Sequence, residues 1–185
     1  MPQYIAFLRG INVGGHRVKM NRLRSLFEEL GLRDVSTFVA SGNVIFSTES
    51  ESVQALTTTI ERHLKQELGY EVATFLRSPS QLAAIASAGP TEDDVGERSP
   101  SSHYVIFLNA AAPDSLRAEL AALESEMDRF QFSETEIYWR IQGKLTDSAL
   151  FGGGLDRAIR TTASTMRNMN TVRRIAAKTN APEAT

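Results

Sequence analysis

Apolar and polar positions along the 185-residue chain repeat with two different periods, and the order of those periods predicts the fold. Residues 3–9 (QYIAFLR) form an apolar, β-rich run that reads as a strand. A glycine-rich loop follows over residues 10–20. Leu23, Leu26, Phe27 and Leu30 then recur at helical spacing, with Asn21 placed to cap the helix and Gly31 to end it. Residues 34–40 and 44–48 predict two strands joined by the turn residues Ser41-Gly42-Asn43. A longer helix carries Val53, Leu56, Ile60, Leu64 and Leu68 on one face and stops at Gly69, before a strand over 71–77. The order β-α-β-β-α-β is the split βαβ of ferredoxin-like units.

Ser78-Pro79 opens a short helix with Leu82 and Ile85 on its apolar face. Residues 89–102 are polar, acidic and rich in breakers, which predicts a surface connection. The second half repeats the order less clearly. A strand over 103–108 precedes a helix carrying Leu116, Leu120, Leu123 and Met127. Residues 130–141 predict a hairpin turning near Ser133-Glu134, and 145–160 predict helical stretches broken by Gly152-Gly153-Gly154. Residues 161–166 read as extended, and Asn168 or Asn170 is placed to cap a last helix reaching about Lys178. No residue repeat is evident between the halves, so the expected duplication rests on element order alone. The expected fold class is α+β: two packed ferredoxin-like (βαββαβ) subdomains with a C-terminal helix. The expected divisions are 1–77 for the first subdomain, 78–102 for helix and connection, 103–180 for the second subdomain with its helix, and 181–185 for a loose tail.

Composition narrows the function classes. Hydrophobic residues make up 42% and charged residues 23%, values of an ordinary globular chain rather than a disordered one. There is no cysteine, which excludes disulfides, thiolate metal sites and a cysteine nucleophile. No apolar run approaches the roughly 20 residues of a membrane span, and the first residues lack a signal-peptide pattern. The expectation is a cytoplasmic protein with no membrane partner. Net charge is −2, but residues 1–27 carry five basic residues and no acid, and residues 156–179 carry six against one. Two basic ends flank an acidic middle, a distribution that suits an anionic partner such as nucleic acid or a phosphate compound.

The most informative segment is the loop Arg9 to Arg17. Glycines let backbone N–H groups approach an anion, and the pair Gly14-Gly15 can form a nest. The spacing matches neither the dinucleotide fingerprint nor the P-loop. An ordinary strand-to-helix connection explains the glycines equally well. In a split βαβ unit the end of the first strand and the turn between the second and third share one edge, so this loop and Ser41-Gly42-Asn43 should be neighbours. A second candidate is Thr165 to Val172, where Arg167 and Asn168 stand just before a helix and can hold an anion or cap and pack. The candidate ligand-binding residues are therefore Arg9, Asn12, Gly14, Gly15, Arg17, Ser41, Asn43, Arg167 and Asn168. Tyr138, Trp139 and Arg140 can stack a base, or pack. His16, His63 and His103 show no metal-ligand spacing, so no metal and no cofactor is expected.

Several motifs together resemble the bacterial Domain of Unknown Function 1697 family: R-G-I-N-V-G-G (Arg9 to Gly15), V-K-M (Val18 to Met20), S-G-N-V-I-F (Ser41 to Phe46) and T-M-R-N-x-x-T-V (Thr165 to Val172). The resemblance implies an α+β protein of two ferredoxin-like subdomains and supplies no catalytic residue. Met169 stands where some members place a tryptophan. The leading functional expectation is binding of a phosphate-containing anion, RNA or a nucleotide-like small molecule. The rivals are a small metal-independent enzyme using Arg and Asn to stabilise an anion, and an adaptor that docks partner proteins at a sheet edge.

Overall fold

A computed structural model describes residues 1–12, 14–38, 42–50, 52–88 and 101–179. The chain divides into two units, Met1–Leu82 and Ala83–Thr185. In the first, β1 (Gln3–Leu8), α1 (Met20–Glu28), β2 (Arg33–Thr37), β3 (Asn43–Ser47), α2 (Val53–Leu68) and β4 (Thr74–Arg77) follow in order, and α3 (Pro79–Ala88) starts here. The second unit has β5 (Ser101–Leu108), α4 (Asp114–Ala122), β6 (Asp128–Phe132), β7 (Glu136–Gln142), α5 (Gly154–Ala158), β8 (Ser164–Asn168) and α6 (Met169–Thr179). The sheets run β2-β3-β1-β4 and β6-β7-β5-β8, antiparallel throughout. Each unit is a ferredoxin-like split βαβ, and the chain is α+β.

Alternation along the strands decides which face meets the helices. In the first unit Tyr4, Ala6, Leu8, Val44 and Phe46 pack with Leu26 and Phe27 of α1 and Ile60 and Leu64 of α2. In the second, Ile106, Leu108, Trp139 and Ile141 pack with Leu116 and Leu120 of α4 and Leu155 of α5. Trp139 is buried, and its Nε1–H donates to Asp128 Oδ1 at 2.9 Å. The Ser148 hydroxyl donates to the same oxygen at 2.7 Å.

The register reveals a repeat that the linear sequence hides. Val105 occupies the place of Ile5: Ile5 pairs with Ile45 and Arg77, and Val105 with Tyr138 and Arg167. Tyr4, Phe7 and Leu8 therefore correspond to Tyr104, Phe107 and Leu108, identical residues one hundred positions apart. The same backbone bond ties the end of β1 and of β5 to the turn of the neighbouring hairpin, Leu8 N–H to Gly42 O and Leu108 N–H to Thr135 O, each 2.8 Å. The aromatic pairs Tyr4–Phe46 and Tyr104–Trp139 repeat with ring centroids 6.2 and 5.8 Å apart.

Two local expectations are corrected and a third is narrowed to one of its alternatives. Helix α1 begins at Met20, with Lys19 rather than Asn21 at the cap position. The Asn12 side chain accepts the Val18 N–H at 2.9 Å and so delivers the chain into the helix two residues early. Met127 is not on α4, which ends at Ala122. Ser125 Oγ accepts the N–H of Met127 and of Asp128, turning the backbone away from the helix. The cap of α6 is Asn168, whose Oδ1 accepts the Asn170 N–H at 2.8 Å. Of the predicted connection 89–102, residues 89–100 lie outside the described residues, while Ser101 and Ser102 open β5.

Candidate anion-binding loop

The loop Arg9–Lys19 leaves the end of β1, at the sheet edge where β2 turns into β3. Its base is built rigidly. Arg9 N–H donates to Ala73 O at 2.8 Å, tying the loop to the approach of β4. Ile11 is buried beneath it. The Tyr70 hydroxyl donates to Ile11 O at 3.0 Å, and its ring stacks on His16 with centroids 4.0 Å apart. Desolvation pushes the Tyr70 phenol pKa up, which keeps it a donor there.

Gly42 shows why the turn of the β2–β3 hairpin must be small. Its φ is +75°, and a Cβ there would stand 2.7 Å from Ile11 Cγ2 and 3.1 Å from Leu8 Cβ. The loop and this turn are thus neighbours in contact, as the topology predicts. Ser41 lies outside the described residues. Asn43 is fully buried, and its Nδ2 donates to Phe38 O at 2.8 Å, so its amide holds the hairpin.

Above the anchored base the loop is exposed: Arg9, Asn12, Gly14, Gly15, His16, Arg17 and Lys19 all face solvent. Gly14 and Gly15 have φ of +63° and +86°, and a Cβ on Gly15 would meet nothing within 4 Å. Open space and left-handed backbone here leave the amide groups approachable. Helix α1 starts without a side-chain cap, so its first N–H groups carry the partial positive charge of a helix N-terminus. Arg9, Arg17 and Lys19 have no carboxylate within ion-pair distance among the described residues. Arg22 and Arg24, farther along α1, are both paired with glutamates.

Arg167 and Asn168 belong to the second unit and are engaged in its framework. Arg167 is buried, and its Nη1 donates to Thr165 Oγ1 and to Met166 O, both at 2.8 Å. Burial lowers its pKa to about 10, which leaves it charged at neutral pH. Its counterpart Arg77 makes the same bond, Nη1 to Leu76 O at 2.7 Å.

A cluster that sequence spacing does not reveal joins Glu29, at the C-terminal cap of α1, to His63 and Glu67 of α2, with ligand atoms within 4.8 Å of one another. The Arg22 guanidinium bridges both carboxylates, at 2.7 and 2.6 Å, and His63 Nε2 lies 3.1 Å from Glu29 Oε2. The arginine neutralises the charge that a cation would meet, so the cluster reads as an ion-pair network linking the helices. Among the described residues no helix is long and apolar enough to cross a membrane.

The family described as "Protein of unknown function (DUF1697)" matches residues 1–138. A conserved bacterial protein from Streptococcus pneumoniae has the same fold, with a TM-score of 0.80 at 23% identity, over 98% of this chain and 99% of that one. No curated protein shows significant similarity to the chain.

Proposed function

Since the chain belongs to the DUF1697 family, whose function is unknown, we propose an activity from its own geometry: binding of a phosphate-containing anion, RNA or a nucleotide-like compound, at the loop Arg9–Lys19. One observation carries this reading. The first unit spends eleven residues, 9–19, on the connection from its first strand to its first helix, whereas the second unit makes the corresponding connection with five, 109–113. The extra length is not required by the fold, and it holds Asn12, Gly14, Gly15 and Arg17.

The charges around it support the same reading. Arg9, Arg17 and Lys19 form a cationic rim that no acid neutralises among the described residues, beside an uncapped helix start. Donors of this kind suit phosphate oxygens. In this reading Asn43 and Gly42 set the loop's position, and the protein works in the cytoplasm, where RNA and nucleotides are abundant.

The test is a titration of the full chain with labelled single-stranded RNA and, separately, with adenosine triphosphate, at several salt concentrations. Affinity for RNA should fall with salt at a slope of about 0.7 per phosphate contact. Arg17→Ala and Lys19→Ala should each reduce that slope by about 0.7. Tighter binding of the nucleotide than of RNA identifies the small molecule as the ligand. Affinity that ignores salt, or that Arg17→Ala leaves unchanged, overturns the proposal.

A further inference from the structure

The second unit carries a different basic feature, on the sheet face turned away from α4 and α5. Strand register creates it. Arg140 of β7 pairs with Arg129 of β6 on one side and with His103 of β5 on the other. Trp139 and Phe130, the neighbours in sequence, belong to the helix-side core, so these three side chains alternate to the opposite face. Directly opposed residues have Cβ atoms about 4.5–5.5 Å apart, and like charges placed so repel.

Among the described residues little offsets that repulsion. Glu124 is the acid lining the adjoining cavity, and its Oε2 is 3.8 Å from Arg129 Nη1 while its other oxygen accepts the Phe130 N–H. Arg140 makes no ion pair among the described residues; its Nη2 donates to neutral Gln142 Oε1 at 2.7 Å. The row borders a cavity of about 460 Å³, whose lining includes Gln131 and Tyr138. That volume is typical of small-molecule sites, about 300–1,000 Å³, and exceeds what an inorganic ion needs.

We propose that this cavity binds a small organic phosphate, with the phosphate group seated between Arg129 and Arg140. Two arginines on facing rungs of one sheet face, both lining the cavity, suit a phosphate dianion, which offers three terminal oxygens and a double charge; a carboxylate satisfies one fork. The bound anion removes the cross-strand repulsion, and the rest of the cavity takes the organic body. Gln131 lines the rest of that cavity and offers it a neutral amide. The site lies wholly in the second unit and does not depend on the loop proposed above.

The experiment uses the full chain carrying Arg9→Ala, Arg17→Ala and Lys19→Ala, so that the first unit's loop does not contribute. Adenosine 5′-monophosphate, inorganic phosphate and acetate are titrated in turn by calorimetry. The monophosphate should bind more tightly than phosphate, and phosphate more tightly than acetate. Adding Arg140→Gln should weaken the monophosphate about 10-fold or more. The same substitution should leave the ligand-free melting temperature equal or higher, because a like-charge contact is relieved. If Arg140→Gln lowers the melting temperature, Arg129→Gln, at an exposed position, decides the matter by the same 10-fold criterion. No heat with the monophosphate up to about 10 mM, equal affinity for all three anions, or affinity indifferent to both substitutions overturns the proposal.

Discussion

Gly42→Ala tests how the hairpin turn positions the loop Arg9–Lys19. The new methyl would stand 2.7 Å from Ile11 Cγ2, where ordinary carbon contacts begin near 3.5 Å, so the two must separate by about 0.8 Å. Overpacking of this kind costs about 1–3 kcal/mol. Holding alanine at φ +75° costs about 1–2 kcal/mol more. The unfolded chain loses entropy with the substitution, which returns about 0.4–1 kcal/mol. The net expectation is about 2–4 kcal/mol of destabilisation. Ile11→Ala alone should cost about 2–5 kcal/mol, since the side chain is buried. Once Ile11 is truncated the 2.7 Å contact disappears, and Gly42→Ala should then cost the backbone strain and the lesser crowding against Leu8 Cβ at 3.1 Å. A double-mutant cycle should therefore show coupling of about 1–3 kcal/mol. Urea unfolding followed by far-ultraviolet circular dichroism reads it, because the single tryptophan lies in the other unit. If the glycine substitution costs the same in both backgrounds, within about 0.5 kcal/mol, contact with Ile11 is not what requires glycine there.

Asp128→Ala should destabilise the second unit by about 2–5 kcal/mol, since it strands the buried Trp139 Nε1–H and removes the acceptor of the Ser148 hydroxyl. The urea midpoint of tryptophan emission measures this, and a change below about 1 kcal/mol refutes the role assigned to the carboxyl group. Glu71 is held below the ordinary carboxylate pKa, first by the 2.7 Å hydrogen bond from Lys65 and then by its charge. The folded pKa is the lower one, so whatever stability the pair contributes is present above the unfolded pKa and fades as pH falls through the folded value. Lys65→Ala should raise the Glu71 pKa towards its ordinary value in a carboxyl-detected NMR titration; an unchanged value shows that the pair does not persist in solution.

The sequence makes the elements legible where one period runs long. Helix α2 carries its apolar stripe through four turns with Ser52 before it and Gly69 after it, and both ends fall where the pattern predicts. Short elements depend on side-chain bonds that periodicity does not register, which is why Asn12 shifts the start of α1 and Ser125 ends the apparent helix before Met127. The exposed loop was readable because its glycines and arginines lie consecutively. The Arg129–Arg140–His103 row was not, because its members come from three strands and meet only through register. Likewise Glu29 reaches His63 and Glu67 only through helix packing. The repeat stayed hidden because a few scattered identities carry no weight until strand pairing aligns them.

That alignment lets the chain serve as its own reference in mutational scanning. Tolerance profiles at Phe7 and Leu8 should track those at Phe107 and Leu108, since each pair holds the same register position and is equally buried. Arg9 and Asn109 occupy the same step beyond the strand but differ in charge, and Asn43 and Glu136 the same rung of the ladder. Subtracting one half's profile from the other's cancels what folding requires of both copies. The residual at each rung then isolates what one unit demands and the other does not, the ligand chemistry of the long loop included, with no second protein needed for comparison.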